Sequence, residues 1–259
     1  ETAVYQTLNA GKTWGPVVGG VAGQLDARSR AGGGEVQPWT AVAFSNDNPK
    51  IVYSAKVRGS SRGGIWPAEP ADVFRSTDEG KTWEQVGICE LCSSVQTIVV
   101  VEGDPNSVWF AADGGLLFSN DGGRTWSSNV ISYLDEQAVE PRNLKEQKPP
   151  KVVGLAVRPG DPEVILAASS EYGMFRSTDR GDHWQRVPIE PLNDHGTTYC
   201  RCLREVPGDP TNLWVSGGGD FESNVGGLFH SEDGGLSWDR VDIGHEVNST
   251  LFALSIDQR

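Results

Sequence analysis

Arg58, Arg62 and Trp66 fall in one glycine-rich stretch, Arg-Gly-Ser-Ser-Arg-Gly-Gly-Ile-Trp. Guanidinium groups beside an indole make a seat for a carboxylate or for the face of a sugar ring. The plainer role for Trp66 is to anchor that stretch to whatever lies beneath it. Arg204 and Glu205 form a second set. They follow an apolar run at positions where comparable runs carry Ala43, Val99, Ala156, Ser255 and then Phe44, Val100, Val157, Ile256. Charges in such places need partners, so the pair is either a structural ion-pair set or part of a channel site. His195 precedes Cys200 and is either a solvated loop residue or a ligand. Four cysteines stand as Cys89-Glu-Leu-Cys92 and Cys200-Arg-Cys202. A bond between Cys200 and Cys202 is awkward on a strand, whereas Cys89 to Cys92 is feasible in a turn. Three readings stay open: disulfides of a secreted protein, buried free thiols, or a four-thiolate metal site at the mouth of a channel.

The elements that position these residues come from a repeat. Its copies are Ser76-Thr-Asp78-Glu-Gly80-Lys-Thr82-Trp83, Ser119-Asn-Asp121-Gly-Gly123-Arg-Thr125-Trp126, Ser177-Thr-Asp179-Arg-Gly181-Asp-His183-Trp184 and Ser231-Glu-Asp233-Gly-Gly235-Leu-Ser237-Trp238, with a worn copy at Thr7-Leu-Asn9-Ala-Gly11-Lys-Thr13-Trp14. Asp-x-Gly between short apolar runs predicts a tight hairpin. Glycine opens a backbone region closed to other residues, and the Asp and Ser side chains can bond the turn's own N–H groups. The Trp locks the turn onto its sheet. Asp78, Trp83, Asp121, Trp126, Asp179, Trp184, Asp233 and Trp238 are therefore expected to be structural.

A second landmark lies upstream of each box: Asn46-Asp-Asn-Pro49, Gly103-Asp-Pro105, Gly160-Asp-Pro162 and Gly208-Asp-Pro210. The unit reads strand A, Gly-Asp-Pro turn, strand B, variable loop, strand C, box, strand D. Four strands per unit is a propeller blade.

The motif resembles the Asp-box (BNR) repeat, whose family includes sialidases, xyloglucanases, sortilin-type receptors and photosystem II assembly-factor propellers. The repeats themselves count out an all-β, five-bladed β-propeller of four-stranded antiparallel blades, because Ala3-Val-Tyr-Gln-Thr7 and Thr250-Leu-Phe-Ala-Leu-Ser-Ile-Asp257 read as parts of one blade. Its blades are expected at 250–259 plus 1–18, 39–88, 95–131, 152–188 and 198–243, with the N- and C-terminal strands pairing to close a single domain. The alternative is a fragment of a larger propeller. The resemblance also offers glycoside hydrolysis, by paired carboxylates or by a Tyr nucleophile with a Glu base. Candidates are Asp194, Glu205, Asp220, Glu222 and Glu136, with Tyr172 or Tyr199. No Arg-Ile-Pro segment of the sialidase kind occurs.

The A–B and C–D turns are short. The B–C and D–A loops are expected to be long and to share the opposite face, the usual place for binding. They carry Arg58, Arg62, Trp66, Asp194, His195, Asp220 and Glu222. The favoured reading is a non-catalytic binding or scaffold module that takes a protein or carbohydrate ligand there, without a cofactor. Glycoside hydrolysis and a cysteine-based metal site are the alternatives. A net charge of −13 over 259 residues argues against nucleic acid, and no apolar stretch is long enough to span a membrane. Secreted, periplasmic or extracellular placement is expected, with cytoplasmic placement the alternative. The best helix candidate is 134–147, and Asn248-Ser-Thr250 is a glycosylation sequon.

Overall fold

The computed structural model describes residues 5–7, 9, 11–16, 39–45, 47–57, 70–90, 95–112, 115–129, 151–190, 198–218, 225–244, 251 and 254–256. All regular structure in these residues is β; the helix candidate at 134–147 and the sequon lie outside them. Strands β1 (Tyr5–Gln6) and β2 (Gly15–Pro16) form a hairpin across the worn box. Four four-stranded sheets follow. Sheet I comprises β3 (Trp39–Phe44), β4 (Val52–Val57), β5 (Ala71–Ser76) and β6 (Glu84–Cys89). Sheet II comprises β7 (Val95–Val100), β8 (Val108–Ala112), β9 (Gly115–Ser119) and β10 (Ser127–Asn129). Sheet III comprises β11 (Val152–Val157), β12 (Ile165–Ser169), β13 (Gly173–Ser177) and β14 (Gln185–Val187). Sheet IV comprises β15 (Tyr199–Val206), β16 (Asp209–Gly218), β17 (Gly226–Ser231) and β18 (Asp239–Arg240). Strands neighbour one another in chain order in every sheet, which is the meander of a propeller blade.

The chain divides into two compact units, Glu1–Ala112 with Leu117–Ser128, and Asp113–Leu116 with Asn129–Arg259. In the first unit, β7 packs beside β3. The core there joins Tyr53, Ala55, Ala71 and Val73 of sheet I to Val95, Ile98, Val108 and Phe110 of sheet II. In the second unit, β11 and β15 are neighbours, and Ala156, Leu166 and Ala168 share a core with Leu203, Val215 and Phe229. β11 and β15 approach closely at Gly154, where the residue must be small. A Cβ added at Gly154 would lie 2.7 Å from Leu203 Cβ.

The short turns share one end of each sheet. The residue after each box Asp donates its N–H to the A–B turn of its own sheet: Glu79 to Lys50 O at 3.1 Å, Gly122 to Asn106 O at 2.9 Å, Arg180 to Glu163 O at 2.9 Å and Gly234 to Thr211 O at 3.0 Å. The other end is less uniform than expected. The B–C connection is long in sheets I and IV, at 58–70 and 219–225. In sheet II it is residues 113–114, and in sheet III only Ser170, Glu171 and Tyr172. The D–A connections do hold the expected length at 130–151 and 188–198. Tight B–C hairpins in the middle sheets leave fewer side chains to decorate that end.

Candidate functional site

The box end is built for rigidity. In sheet I, Ser76 Oγ donates to Asp78 Oδ1 at 2.8 Å and accepts the Gly80 N–H at 2.8 Å. Thr82 gives its N–H to Asp78 Oδ1 at 2.8 Å and its hydroxyl to Oδ2 at 2.7 Å. Trp83 Nε1 donates to Gly80 O at 2.9 Å. Sheet II repeats the scheme through Ser119, Asp121, Gly123, Thr125 and Trp126, whose ring also lies 4.4 Å from that of Phe110. In sheet III the departure at the Thr position is made good chemically: His183 Nδ1 sits 2.6 Å from Asp179 Oδ2, where the other boxes place a hydroxyl. Sheet IV uses Ser237 at 2.5 Å from Asp233 Oδ2, while Trp238 joins the core and its buried Nε1 has no hydrogen-bond partner among the described residues.

These bonds hold the box carboxyls ionised. Asp78 is lowered to about 2, chiefly by the Thr82 hydroxyl. Asp179 is lowered to about 2, chiefly by the His183 amide. For Asp121 and Asp233 partial burial opposes ionisation, but hydroxyl and amide donors outweigh it and both also fall to about 2. A carboxylate saturated by donors of its own turn is a poor proton shuttle.

The opposite end of the second unit gathers a different set. Tyr172 lies in the β12–β13 turn and is 40% exposed. Tyr199 opens β15, and the Arg201 guanidinium lies over its ring, 5.9 Å from the centroid. Arg201 Nη1 donates to Ser170 O at 3.0 Å and to Cys200 O at 3.3 Å, so the turn that carries Tyr172 is tied to β15. Ser170 is also held from below, donating its N–H to Lys151 O at 3.0 Å. Burial, with Glu171 and Tyr199 adding, raises the Tyr172 hydroxyl above the usual phenol range. That keeps it a neutral donor and disfavours a nucleophilic role. Two tyrosines and an anchored guanidinium offer flat apolar faces and donors to one ligand.

The other expected residues divide as follows. Arg58, Arg62, Trp66, Cys92, Asp194, His195, Asp220 and Glu222 lie outside the described residues. Arg204 and Glu205 sit beside the Gly208 turn, at the box end of β15; five residues of strand place Arg204 roughly 16 Å from Tyr199. Arg204 is exposed, not buried, and its Nη1 bonds Leu203 O at 2.8 Å, so the cost of a buried charge does not arise there. The structure thus does not bring Arg204 and Glu205 to the Tyr172 end. Cys200 and Cys202 are free buried thiols, not a disulfide, and among the described residues no cluster of three His, Cys, Asp or Glu stands beside them. Burial pushes the Cys200 thiol up to about 12. Cys89 is fully buried at the end of β6. Sequence reasoning passed over Arg201. Its signal was Tyr-x-Arg, the spacing that puts two side chains on one face of a strand.

Residues 74–85, the end of β5 with the box of sheet I, match the BNR/Asp-box repeat. The xyloglucanase Xgh74A of Acetivibrio thermocellus is 28% identical over 235 residues, covering 81% of this chain and 26% of that protein. The photosystem II assembly protein Ycf48 of Thermosynechococcus vestitus is 27% identical over 147 residues, covering 49% of this chain and 42% of that one. Among solved structures, a GH74 enzyme of Niastella koreensis matches with a TM-score of 0.59 at 16% identity, over 92% of this chain and 34% of that one. The chain therefore spans about a quarter of the xyloglucanase it matches. These likenesses establish Asp-box repeats on propeller blades. Among the described residues no helix is long and apolar enough to cross a membrane.

Proposed function

We propose that this chain is a non-catalytic binding module whose long-loop end takes a neutral polysaccharide. The observation that carries the reading is the assembly of Tyr172, Tyr199 and Arg201, in which one guanidinium bonds the turn of one sheet and lies over a ring of the next. Tyrosine faces suit the C–H face of a pyranose, and the hydroxyls and guanidinium suit its oxygens. A net charge of −13 on the chain disfavours a polyanion and leaves a neutral ligand as the better fit. The similarity to a xyloglucanase supports a glucan as the first ligand to try. No cofactor is needed, and such a ligand places the protein outside the cytoplasm. Affinity electrophoresis through gels containing xyloglucan is the direct test. Retardation of the native protein, weakened about tenfold by Tyr172→Ala, is expected. Equal mobility with and without polysaccharide, across xyloglucan and other neutral glucans, would count against the reading.

A second reading is glycoside hydrolysis, favoured by the same xyloglucanase relative. Its carboxylates would come from Asp194, Asp220 and Glu222, since Glu205 lies at the box end. Release of reducing ends from xyloglucan, abolished by Asp220→Asn and untouched by Glu205→Gln, would support it over the binding reading.

A further inference from the structure

In the first unit, one face of sheet I lacks a cover that its counterpart in sheet II has. Val42 and Phe44 of β3 stand where β7 carries Ile98 and Val100. The register shows the match: Val42 pairs with Ser54 and Phe44 with Val52, as Ile98 pairs with Phe110 and Val100 with Val108. Ile98 is 6% exposed and lies in the core that sheets I and II share, and the half-buried Val100 packs against that core. Val42 is 58% exposed and Phe44 63%. The box repeats the difference. A Cβ added at Gly123, in the sheet II box, would lie 3.1 Å from Val86 and 3.3 Å from Val73 of sheet I. One added at Gly80, its counterpart in the sheet I box, would meet only Trp83 of the same box, at 3.5 Å. Ile88 of β6 lies on the same face as Val42 and is also exposed. Apolar side chains exposed together on one sheet face mark an interaction surface.

The form of the missing cover follows from the interface that exists. Over the corresponding face of sheet II stands strand B of sheet I: Tyr53 and Ala55 of β4 share a core with Ile98, Val108 and Phe110. Residues two apart on one strand thus present a large aromatic group and a small one to the next sheet. Tyr53 also reaches across, donating its hydroxyl to Pro105 O at 2.9 Å. In the hairpin that precedes sheet I, β1 pairs with β2 alone among the described residues, and no strand B stands beside it. An unpaired strand edge takes up an extended segment through main-chain hydrogen bonds. We propose that the Val42–Phe44 face of sheet I is a docking surface for an extended segment of a partner protein, which takes the place that β4 holds against sheet II. The segment carries an aromatic residue and a small residue two positions apart on the side turned to sheet I. Neither Val42 nor Phe44 belongs to the glycan-binding set proposed above.

The test is fluorescence anisotropy of a labelled peptide with the sequence of residues 51–57, Ile-Val-Tyr-Ser-Ala-Lys-Val, titrated with the whole chain. The protein variants are Phe44→Thr, which keeps the strand propensity of the position, and Val42→Lys, with Asp182→Ala as control. The peptide variant replaces its Tyr by Ser. Tm and sedimentation are measured for each protein without peptide. The expected result is saturable binding, weakened about tenfold by either change to the face and by the change to the peptide, with Tm and the control unchanged. No binding, or binding that neither face variant weakens, overturns the docking surface. A lower Tm in both face variants, with no peptide bound by the wild type, shows that the chain covers this face itself and overturns it too. So does a wild-type dimer that Phe44→Thr dissociates, because the occupant is then a second copy. Should the face variants unfold, the peptide variant carries the test: wild-type protein that binds both peptides equally well overturns the proposal.

Discussion

In each of the four full boxes the Ser hydroxyl bridges a buried glycine amide and the Asp carboxylate. Ser119 Oγ accepts the buried N–H of Gly123 and donates to Asp121. Ser119→Ala leaves that amide unsatisfied, and chemical denaturation is expected to show a loss of about 1–3 kcal/mol. The box carboxylates also set a pH dependence. Their folded pKa values lie near 2, below the ordinary 3.8. A lowered folded pKa gives stability that is fully present above the unfolded value and is lost as pH falls through the folded one. Tm should therefore hold steady above about pH 4 and drop between about pH 4 and pH 2, with a shallower drop in Asp121→Asn. Cysteine chemistry is set at the same scale. A Cys200 thiol raised to about 12 by burial presents almost no thiolate at neutral pH. Iodoacetamide at pH 8 should leave Cys200 unmodified in the native protein and label it on unfolding; rapid native labelling would show that the start of β15 is open.

At the scale of elements, neighbouring sheets meet through glycine. A Cβ on Gly87 of β6 would lie 2.1 Å from Gly123 O, in the box of sheet II. Gly87→Ala must therefore push the sheet II box off sheet I, at a cost of about 2–4 kcal/mol. Gly103 makes a useful contrast. Nothing lies within 4 Å of its added Cβ, and only its φ of +83° resists substitution, so Gly103→Ala should cost about 1–2 kcal/mol. Equilibrium unfolding of the two variants separates close packing from backbone strain. The boxes themselves need two consecutive residues at positive φ. Sheets II and IV meet this with Gly122-Gly123 and Gly234-Gly235, whereas Glu79 and Arg180 hold the first place in sheets I and III at φ of 64° and 58°. The hydrogen bonds of the box are strong enough to keep an ordinary side chain there.

At the scale of the whole molecule, we carry forward the partition into five blades, at 250–259 plus 1–18, 39–88, 95–131, 152–188 and 198–243, as a proposal. Removal of residues 250–259 is expected to lower Tm by several degrees and to speed amide exchange in β1 and β2. Unchanged exchange there would speak against a shared first blade. The four sheets, their strand order and their two kinds of end were legible in the sequence, because Asp-x-Gly and Gly-Asp-Pro turns act through local backbone angles and neighbouring side chains. The worn box of β1–β2 was legible for the same reason. The reach of the B–C loops was not: sheets II and III close with hairpins too short to carry the expected decoration. Nor was the placement of Arg204 and Glu205, which reads as a buried anomaly in an aligned strand and is an exposed residue with its neighbour at the box end.

The sequence by itself determined the blade, since every signal for it lies within a few residues of the turn it makes. Tertiary structure alone decided that the guanidinium over Tyr199 bonds Ser170 in the turn that carries Tyr172, and that one residue slips out of register in each of β3, β7, β11 and β15. A bulge leaves no mark in composition or periodicity; it is a relation between two strands, and it exists only when they pair.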